Sequence, residues 1–338
     1  MTAINGFINL YKPADWTSHD CVAKLRRLLN TKKIGHGGTL DPKATGVLPV
    51  AVGKATKLLQ YLPADKAYQA VVRFGTTTTT DDLEGEIIAS QSTIALERET
   101  VAAALSQFIG AIAQVPPIYS AIQVEGKRLY HLARQGKSVE VPARPVTIHQ
   151  IQIDHWQAGE QAEMTLDIHC GPGTYIRSLA RDLGEAVGTG ATLASLLRSR
   201  SGGFDIAQSM TLEALEQALQ AGRFEPIAAG EAVQHLPAIA LPVDLARRWC
   251  MGQKLLVSSR MEGIEAIPKA AEGSAAAPLR VLESQTQAFL GIGAVEIGRP
   301  TIAFEGGAMA ESESEPTNAK ILSCKRVYWS DNESKPNV

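Results

Sequence analysis

The segment that most restricts how this chain can fold is a glycine-rich stretch at residues 33–46, KIGHGGTLDPKATG. Four glycines and one proline within 14 residues are incompatible with a regular helix or strand, so the stretch must form a loop. Pro42 disfavours the helical conformation in the residue before it and holds Asp41 in an extended one. The loop can therefore project a carboxylate rigidly from the backbone.

The charges around this loop make Asp41 unusual. The 44 residues from Cys21 to Ala64 contain eight Lys or Arg side chains and no acidic residue other than Asp41. A surface that attracts phosphate usually lacks acids, because each carboxylate weakens the attraction. Composition alone favours Asp41 as the start of a turn before Pro42. A catalytic carboxylate is the alternative.

The net charge of the whole chain conceals an asymmetry between its parts. The net charge is -2, whereas residues 1–60 carry nine Lys or Arg and three Asp, a balance of +6. Acidic residues lie later in the chain and include Glu311, Glu313 and Glu315. The sequence thus predicts a polyanionic partner for the N-terminal part.

Hydropathy patterns predict an α+β domain with a mixed sheet over about the first 230 residues. Ser18 is predicted to cap the first helix, and Gly188 to end the helix that follows the turn GPG. The predicted elements are strands over 7–13, 66–75 and 163–170, helices over 18–30, 97–110, 174–188 and 211–222, and a basic loop and helix over 115–144.

The pattern changes at about His235, where short strands surround one short helix, DLARRWCMG. A chain of 338 residues also suits two domains better than one. Two stretches rich in small and acidic residues are expected to be loop insertions. The expected parts are a domain at 1–234, a small β-rich domain at 235–330 with insertions at 262–278 and 306–319, and a tail at 331–338.

The cysteines and the N-terminus predict the compartment. Four widely scattered cysteines form no CxxC pair, which argues against a disulfide framework and predicts a reducing environment. The first residues lack the basic and apolar regions of a signal peptide, and no apolar run approaches the length of a membrane span. We therefore expect a cytoplasmic protein.

Several common site motifs fail on spacing. A phosphate loop requires four residues between its glycines and then Lys-Ser/Thr, whereas Gly46 and Gly53 are separated by six and Ala follows Lys54. The sequence GHGG lacks the third glycine of a dinucleotide fingerprint, and no G-x-S-x-G elbow of a serine hydrolase occurs. No further ligand accompanies His36 and Asp41 at metal-binding spacing. We therefore expect neither a cofactor nor a metal.

The loop and four further segments together resemble the TruB-type tRNA pseudouridine-55 synthases, the bacterial branch of a family shared with the eukaryotic dyskerin-type enzymes. The five blocks are collinear and cover residues 6–204. Two departures are visible: Gln123 replaces an expected lysine, and the threonine run after Gly75 is slightly expanded. The segments are GFINLYKPADWTSHD, GHGGTLDPKATGVLPVAVGKATKLLQYL, KAYQAVVRFGTTTTTDDLEGEI, VPPIYSAIQVEGKRLYHLARQG and CGPGTYIRSLARDLGEAVGTGATLASLLRSRSGGF.

The resemblance implies three catalytic residues. Asp41 matches the family's catalytic aspartate, and Arg177 matches the arginine that pairs with it and keeps the carboxylate ionised. Tyr68 matches a tyrosine that stacks on the uracil and can take part in the loss of the C5 proton. Without the resemblance, Arg177 would be read as an exposed helix arginine.

The resemblance also implies four substrate-binding residues. His36 matches the histidine that takes the place of the flipped base within the RNA. Tyr175 and Leu196 match positions that line the base pocket, and Lys12 matches a lysine that supports it. Without the resemblance, His36 would be a loop hydrogen-bonder, Lys12 a surface lysine, and the other two core residues.

The implied fold is the pseudouridine synthase fold, a mixed and largely antiparallel sheet flanked by helices, followed by a small β-rich, PUA-like RNA-binding domain. The implied activity is isomerisation of uridine to pseudouridine at position 55, in the T loop of tRNA. The alternative is a non-catalytic tRNA-binding or tRNA-folding protein on the same fold. The T stem-loop of tRNA is the implied partner. No cofactor, metal, membrane or protein partner is implied, and a monomer is expected.

Overall fold

The chain is described by a computed structural model over residues 4–120, 123–124, 127–128, 141–266, 276–298 and 319–328. The helices are α1 (Ser18–Leu28), α2 (Arg98–Leu105), α3 (Ile176–Ala186), α4 (Leu212–Gln220), α5 (Ala229–Ala232) and α6 (Val243–Cys250), with 3-10 turns at Gly53–Tyr61, Ser106–Phe108, Ile206–Gln208 and Ile264–Ala266.

The strands include a long pair, β10 and β11, that forms one side of the main sheet. The strands are β1 (Gly6–Lys12), β2 (Ile34–His36), β3 (Thr45–Val52), β4 (Lys66–Phe74), β5 (Thr76–Thr78), β6 (Ile87–Ser90), β7 (Gly110–Gln114), β8 (Gln123–Val124), β9 (Lys127–Arg128), β10 (Arg144–Gln157), β11 (Glu163–Cys170), β12 (Ala191–Ser201), β13 (Phe204–Asp205), β14 (Ala238–Leu241), β15 (Leu255–Leu256), β16 (Pro278–Glu283), β17 (Phe289–Gly298) and β18 (Ala319–Val327).

The main sheet is mixed and largely antiparallel, which confirms the predicted fold class. Its strand order within the described residues is β1-β3-β12-β4-β11-β10-β7, with β2 paired to β3 and β13 paired to β12. The pair β3 and β12 is parallel, whereas the other pairs of this sheet are antiparallel. This arrangement brings β3, β12 and β4 together at the centre, although they lie far apart in the sequence.

Two cores cover the main sheet. Helices α2 and α3 contribute Val101, Leu105 and Leu179 to a core that contains the buried face of β4. That face includes the predicted alternation of Tyr68 with three apolar residues, Ala70, Val72 and Phe74. Helices α1 and α4 cover the β1–β3 end of the sheet through a second core, to which Leu25 and Leu215 belong. The glycine-rich loop between β2 and β3 is therefore attached to a sheet that is packed on both faces.

A second sheet of five strands, in the order β14-β16-β17-β18-β15, follows near the C-terminus. Helix α6 packs on it through the fully buried Trp249. A shared core connects the two sheets, since Phe7 and Phe204 of the main sheet cluster with Phe289 and Tyr328. The predicted β-rich C-terminal part is confirmed, and it shares this core with Val47 and Ala51 of β3.

The first helix begins differently from the prediction. Thr17, rather than Ser18, caps α1: its hydroxyl accepts from the Asp20 amide at 3.0 Å, and the Asp20 carboxylate accepts from the Thr17 amide at 2.9 Å. Ser18 is buried instead, where its hydroxyl accepts from the Leu40 amide at 2.9 Å. The serine thereby anchors the residue that precedes Asp41.

The predicted helix over 97–110 is too long. Helix α2 ends at Leu105, a 3-10 turn follows to Phe108, and Gly110, with φ of +98°, begins β7. A left-handed residue cannot continue a helix. The helix predicted within 115–144, most of the two loop insertions and the tail at 331–338 lie outside the described residues.

Candidate active site

The glycine-rich loop occupies the space between β2 and β3, next to the centre of the sheet. Gly46 has a φ of +103° and faces Arg198 of β12 in the parallel register. A Cβ at Gly46 would lie 2.3 Å from the Arg198 carbonyl oxygen, so only glycine permits this approach of β3 to β12. The close contact places Asp41 beside strands β12 and β4.

Asp41 forms an ion pair with Arg177, as the resemblance predicts. The Arg177 Nη2 atom lies 3.0 Å from Oδ2 of Asp41, and its Nη1 atom lies 3.4 Å from Oδ2 of Asp82. The same guanidinium donates to the carbonyls of Tyr119 at 3.0 Å and Thr80 at 3.3 Å. Arg177 is thus not an exposed helix arginine: its side chain is 8% exposed, whereas that of Asp41 is 44% exposed. A buried cation holds a carboxylate that stays open to a ligand.

Asp82 was not identified from the sequence. It follows Asp81, and the two aspartates bind successive arginines of α3: Arg181 contacts Asp81 at 2.9 Å, and Arg177 contacts Asp82. Two arginines four residues apart on a helix, with two adjacent aspartates elsewhere, were the available signal. Arg177 therefore bridges two carboxylates.

Tyr68 lies near the start of β4 with its side chain buried. Arg198 is its partner in the register between β4 and β12, and the guanidinium lies beside the Tyr68 hydroxyl. Burial raises the pKa of Tyr68, and the neighbouring Arg198 partly opposes this effect. Tyr68 is consequently a neutral phenol at neutral pH.

Arg198 is a second residue that sequence reasoning missed. It is 1% exposed and donates through Nε to the Val47 carbonyl at 2.8 Å, through Nη2 to the Gly38 carbonyl at 3.0 Å and through Nη1 to the Thr39 carbonyl at 3.4 Å. The guanidinium thereby ties both sides of the glycine-rich loop to β12. A charged residue within the segment LLRSRS gave no sign that it would point inward.

His36 ends β2, at the entrance to the loop. Its ring packs edge-to-face on that of His19, with centroids 5.6 Å apart and an interplanar angle of 81°. Its buried Nδ1 atom has no hydrogen-bond partner among the described residues. Burial lowers the pKa of His36, and His19 and Arg198 lower it further, so the ring is neutral at neutral pH.

Lys12 is not a surface lysine but is completely buried. Its ammonium donates to three backbone carbonyls, those of Pro13 at 2.8 Å, Trp16 at 2.6 Å and Pro42 at 2.9 Å. Burial lowers the pKa of Lys12, although the nearby Asp41 raises it in part. Because Pro42 follows Asp41, this lysine fixes the backbone next to the carboxylate.

Lys12→Met should reduce the free energy of unfolding by about 2–4 kcal/mol, because three buried carbonyls lose their donor. Urea denaturation followed by circular dichroism measures the change. The control is Lys43→Met, which removes an exposed ion pair with Asp15 and should cost less than about 1 kcal/mol. Equal losses in the two variants would contradict the anchoring role of Lys12.

Tyr175 and Leu196 lie on the elements that flank these residues. Tyr175 precedes α3, and its backbone amide and carbonyl both bind the Gln114 side chain, at 2.8 and 3.1 Å. Leu196, on β12, packs against the core cluster that contains Tyr68. The structure thus brings Asp41 and Arg177 into contact and connects Lys12, His36 and Tyr68 to the same loop, with Leu196 packed alongside.

Within the described ranges, no group of three or more His, Cys, Asp or Glu side chains is arranged to bind a metal ion. In the same part of the chain, no helix combines the length and apolar character needed to cross a membrane.

Family models match almost the whole described chain. The TruB family pseudouridylate synthase N-terminal domain matches residues 26–176, and the tRNA pseudouridylate synthase B C-terminal domain matches residues 177–246. The model for the C-terminal part of pseudouridine synthase II TruB matches residues 237–299.

Curated relatives share about half of their residues with this chain. tRNA pseudouridine synthase B of Trichormus variabilis is 54% identical over 304 residues, which cover 89% of this chain and 99% of that protein. The protein of the same name from Gloeobacter violaceus is 50% identical and covers 87% of this chain and 96% of its own length.

Solved structures share the fold at lower identity. A Cbf5-Nop10-Gar1 complex contains a chain with a TM-score of 0.67 and 26% identity, covering 95% of this chain and 84% of that one. An H/ACA RNP bound to a substrate RNA containing 2'-deoxyuridine contains one with a TM-score of 0.66 and 24% identity, covering 97% and 86%. The second likeness supports the fold alone.

Proposed function

The chain belongs to the TruB family of pseudouridylate synthases, and we propose that it isomerises uridine to pseudouridine in the T loop of tRNA, at position 55. The observation that carries the proposal is the position of Asp41. Its partly exposed carboxylate lies on a loop that is otherwise basic, and the buried Arg177 of α3 holds it in place. The active site is the cluster around this pair.

The reaction breaks the bond between base N1 and ribose C1′ and joins C1′ to C5 of the same base. The C5 proton leaves, N1 gains a proton, and neither electrons nor water are consumed. One carboxylate near ribose and base can act as a nucleophile at the sugar or the base, or as a base toward the ribose 2′ proton. These routes stay open for Asp41.

The other residues position the Asp41 carboxylate or bind the RNA around the flipped nucleotide. Arg177 fixes the direction of Asp41, and Lys12 and Arg198 fix the backbone of its loop. Tyr68 stacks on the uracil from β4, with Leu196 on the neighbouring strand. A uridine must leave its stack to reach Asp41, and the neutral His36 ring, with its unpartnered Nδ1, fills the vacated place in the RNA.

The alternative is a protein that binds or folds tRNA without modifying it. Such a protein gains nothing from a carboxylate on its phosphate-attracting surface, or from a buried arginine that bridges two aspartates. The geometry of Asp41, Arg177 and Asp82 therefore favours catalysis.

The finer organisation also forms part of the proposal. Residues 1–234 act as the catalytic domain, and residues 235–330 act as a PUA-like RNA-binding domain. The protein works as a monomer in the cytoplasm on the T stem-loop of tRNA, without a protein partner.

Product mapping tests the proposal. Purified protein is incubated with an unmodified tRNA transcript, and carbodiimide labelling then marks pseudouridines by stops of reverse transcription. A single stop at the T-loop uridine supports the function. No stop there, with tRNA bound, would leave the non-catalytic alternative.

Binding should depend strongly on salt. Contacts to about four to six phosphates predict a slope of about -3 to -5 for the logarithm of affinity against the logarithm of salt concentration, at about 0.7 to 0.9 per phosphate. Filter binding at salt concentrations between about 50 and 300 mM measures this slope. A slope near zero would refute binding through a basic face.

A further inference from the structure

Lys66, the first residue of β4, lies close to the glycine-rich loop and contacts none of the seven residues assigned to the site by the resemblance through a described hydrogen bond or ion pair of its side chain. It stands two residues before Tyr68 in the same strand, so the two side chains point to the same face of the sheet. That face carries Arg198, the cross-strand partner of Tyr68. Lys66 is half-buried there.

Gly38 lies against two basic side chains. A Cβ at Gly38 would lie 3.7 Å from Nη1 of Arg198 and 3.7 Å from Cε of Lys66. Both basic side chains therefore flank the same loop residue, three positions before Asp41. Arg198 is fully enclosed and engaged by carbonyls, which leaves Lys66 as the accessible cation of the pair.

The side chain of Lys66 forms no hydrogen bond or ion pair within the part of the chain that the structure describes, although its backbone pairs with the neighbouring strands. The adjacent Asp65 has its carboxylate 3.4 Å from Nε2 of His149. Burial lowers the pKa of Lys66, repulsion from Arg198 lowers it further, and the nearby Asp65 raises it in part. Two neighbouring cations without a carboxylate between them are unfavourable unless an anion joins them.

We propose that Lys66 binds one phosphate of the substrate RNA next to the flipped uridine, on the side of the glycine-rich loop where Gly38 lies. The inference rests on the proposed function for the identity of the ligand. Arg198 strengthens the site through its charge without touching the phosphate, because it is buried. A lysine with a purely structural role would instead be bound by protein acceptors, as Lys12 is.

The first test compares Lys66→Gln with Arg98→Gln, which removes an equal charge at an exposed position of α2 beside Glu99. Lys66→Gln should weaken tRNA binding about 5- to 10-fold and reduce the salt slope by about 0.7 to 0.9. Arg98→Gln should change neither, and Lys66→Arg should retain the slope. Wild-type affinity and slope in Lys66→Gln, with wild-type melting behaviour, would overturn the proposal.

A second test locates the phosphate. Neutral methylphosphonates are placed one at a time in a T stem-loop RNA, and affinity is measured for wild type and Lys66→Gln. At one position near the target uridine, the methylphosphonate should weaken RNA binding by wild type and leave RNA binding by Lys66→Gln unchanged. Equal losses for both proteins at every position would overturn the site. If wild type shows this position-dependent binding but makes no pseudouridine, the proposed function is refuted and the phosphate site is still supported.

Discussion

Asp41→Asn should lower the single-turnover rate of pseudouridine formation about 1,000-fold or more, a barrier increase of about 4 kcal/mol. Asparagine keeps the size of the side chain but can act neither as a nucleophile nor as a base. Affinity for tRNA should change little, because Asp41 itself does not attract phosphate and the basic residues of the surrounding segment remain.

The matched control is Asp15→Asn, which removes the same charge from an exposed carboxylate paired with Lys43. Enzyme in excess over labelled T stem-loop RNA gives the rate, and filter binding gives the affinity. The control should turn over like wild type. Turnover near the wild-type rate in Asp41→Asn would show that the carboxylate is not the catalytic group.

Arg177→Lys should lose about 100-fold in turnover, a barrier increase of about 2.7 kcal/mol. A guanidinium can bind a single carboxylate through two parallel hydrogen bonds. The guanidinium instead divides its donors between Asp41, Asp82 and the carbonyls of Tyr119 and Thr80. A lysine ammonium cannot span these acceptors, so Asp41 loses its direction while the charge is kept. Arg177→Ala should lose more.

The control for Arg177 is Arg181→Lys, one turn further along α3. Arg181 binds Asp81, Asp182 and the Val115 carbonyl and does not contact Asp41. The Arg181→Lys substitution should reduce the thermal stability of the protein more than its turnover. If Arg177→Lys weakened tRNA binding in proportion to its rate loss and left the rate of bound RNA unchanged, Arg177 would be a phosphate contact.

Local sequence patterns predicted those parts of the fold and site that depend on neighbouring residues. The alternation around Tyr68 and the helix that carries Arg177 follow from periodicity alone. The contact between Asp41 and Arg177 joins residues far apart in the chain, and only the family resemblance anticipated it. Periodicity identifies which face of an element is buried, but not what lies against it.

Arg198 and Asp82 were not identified from the sequence, and both omissions have the same physical reason. Arg198 and Asp82 reach the site only because β12 contacts the glycine-rich loop and the loop after β5 contacts α3, and no local pattern encodes these contacts. Without the resemblance Lys12 would be read as a surface lysine, because charged residues are seldom fully buried, whereas three converging carbonyls hold it inside. The cap of α1 moved to Thr17 because Ser18 is engaged by the loop instead.

The catalytic role of Asp41 is tested most directly by following the hydrogen at C5 of the target base. T stem-loop RNA labelled with tritium at C5 of its uridines is incubated with wild type and with Asp41→Asn, without added metal or nucleotide. Wild type should release the tritium of one uridine per RNA to water and form pseudouridine at that position, while Asp41→Asn should bind the RNA and release none. Tritium release by Asp41→Asn at the wild-type rate, or tight binding by wild type without any release, would contradict it.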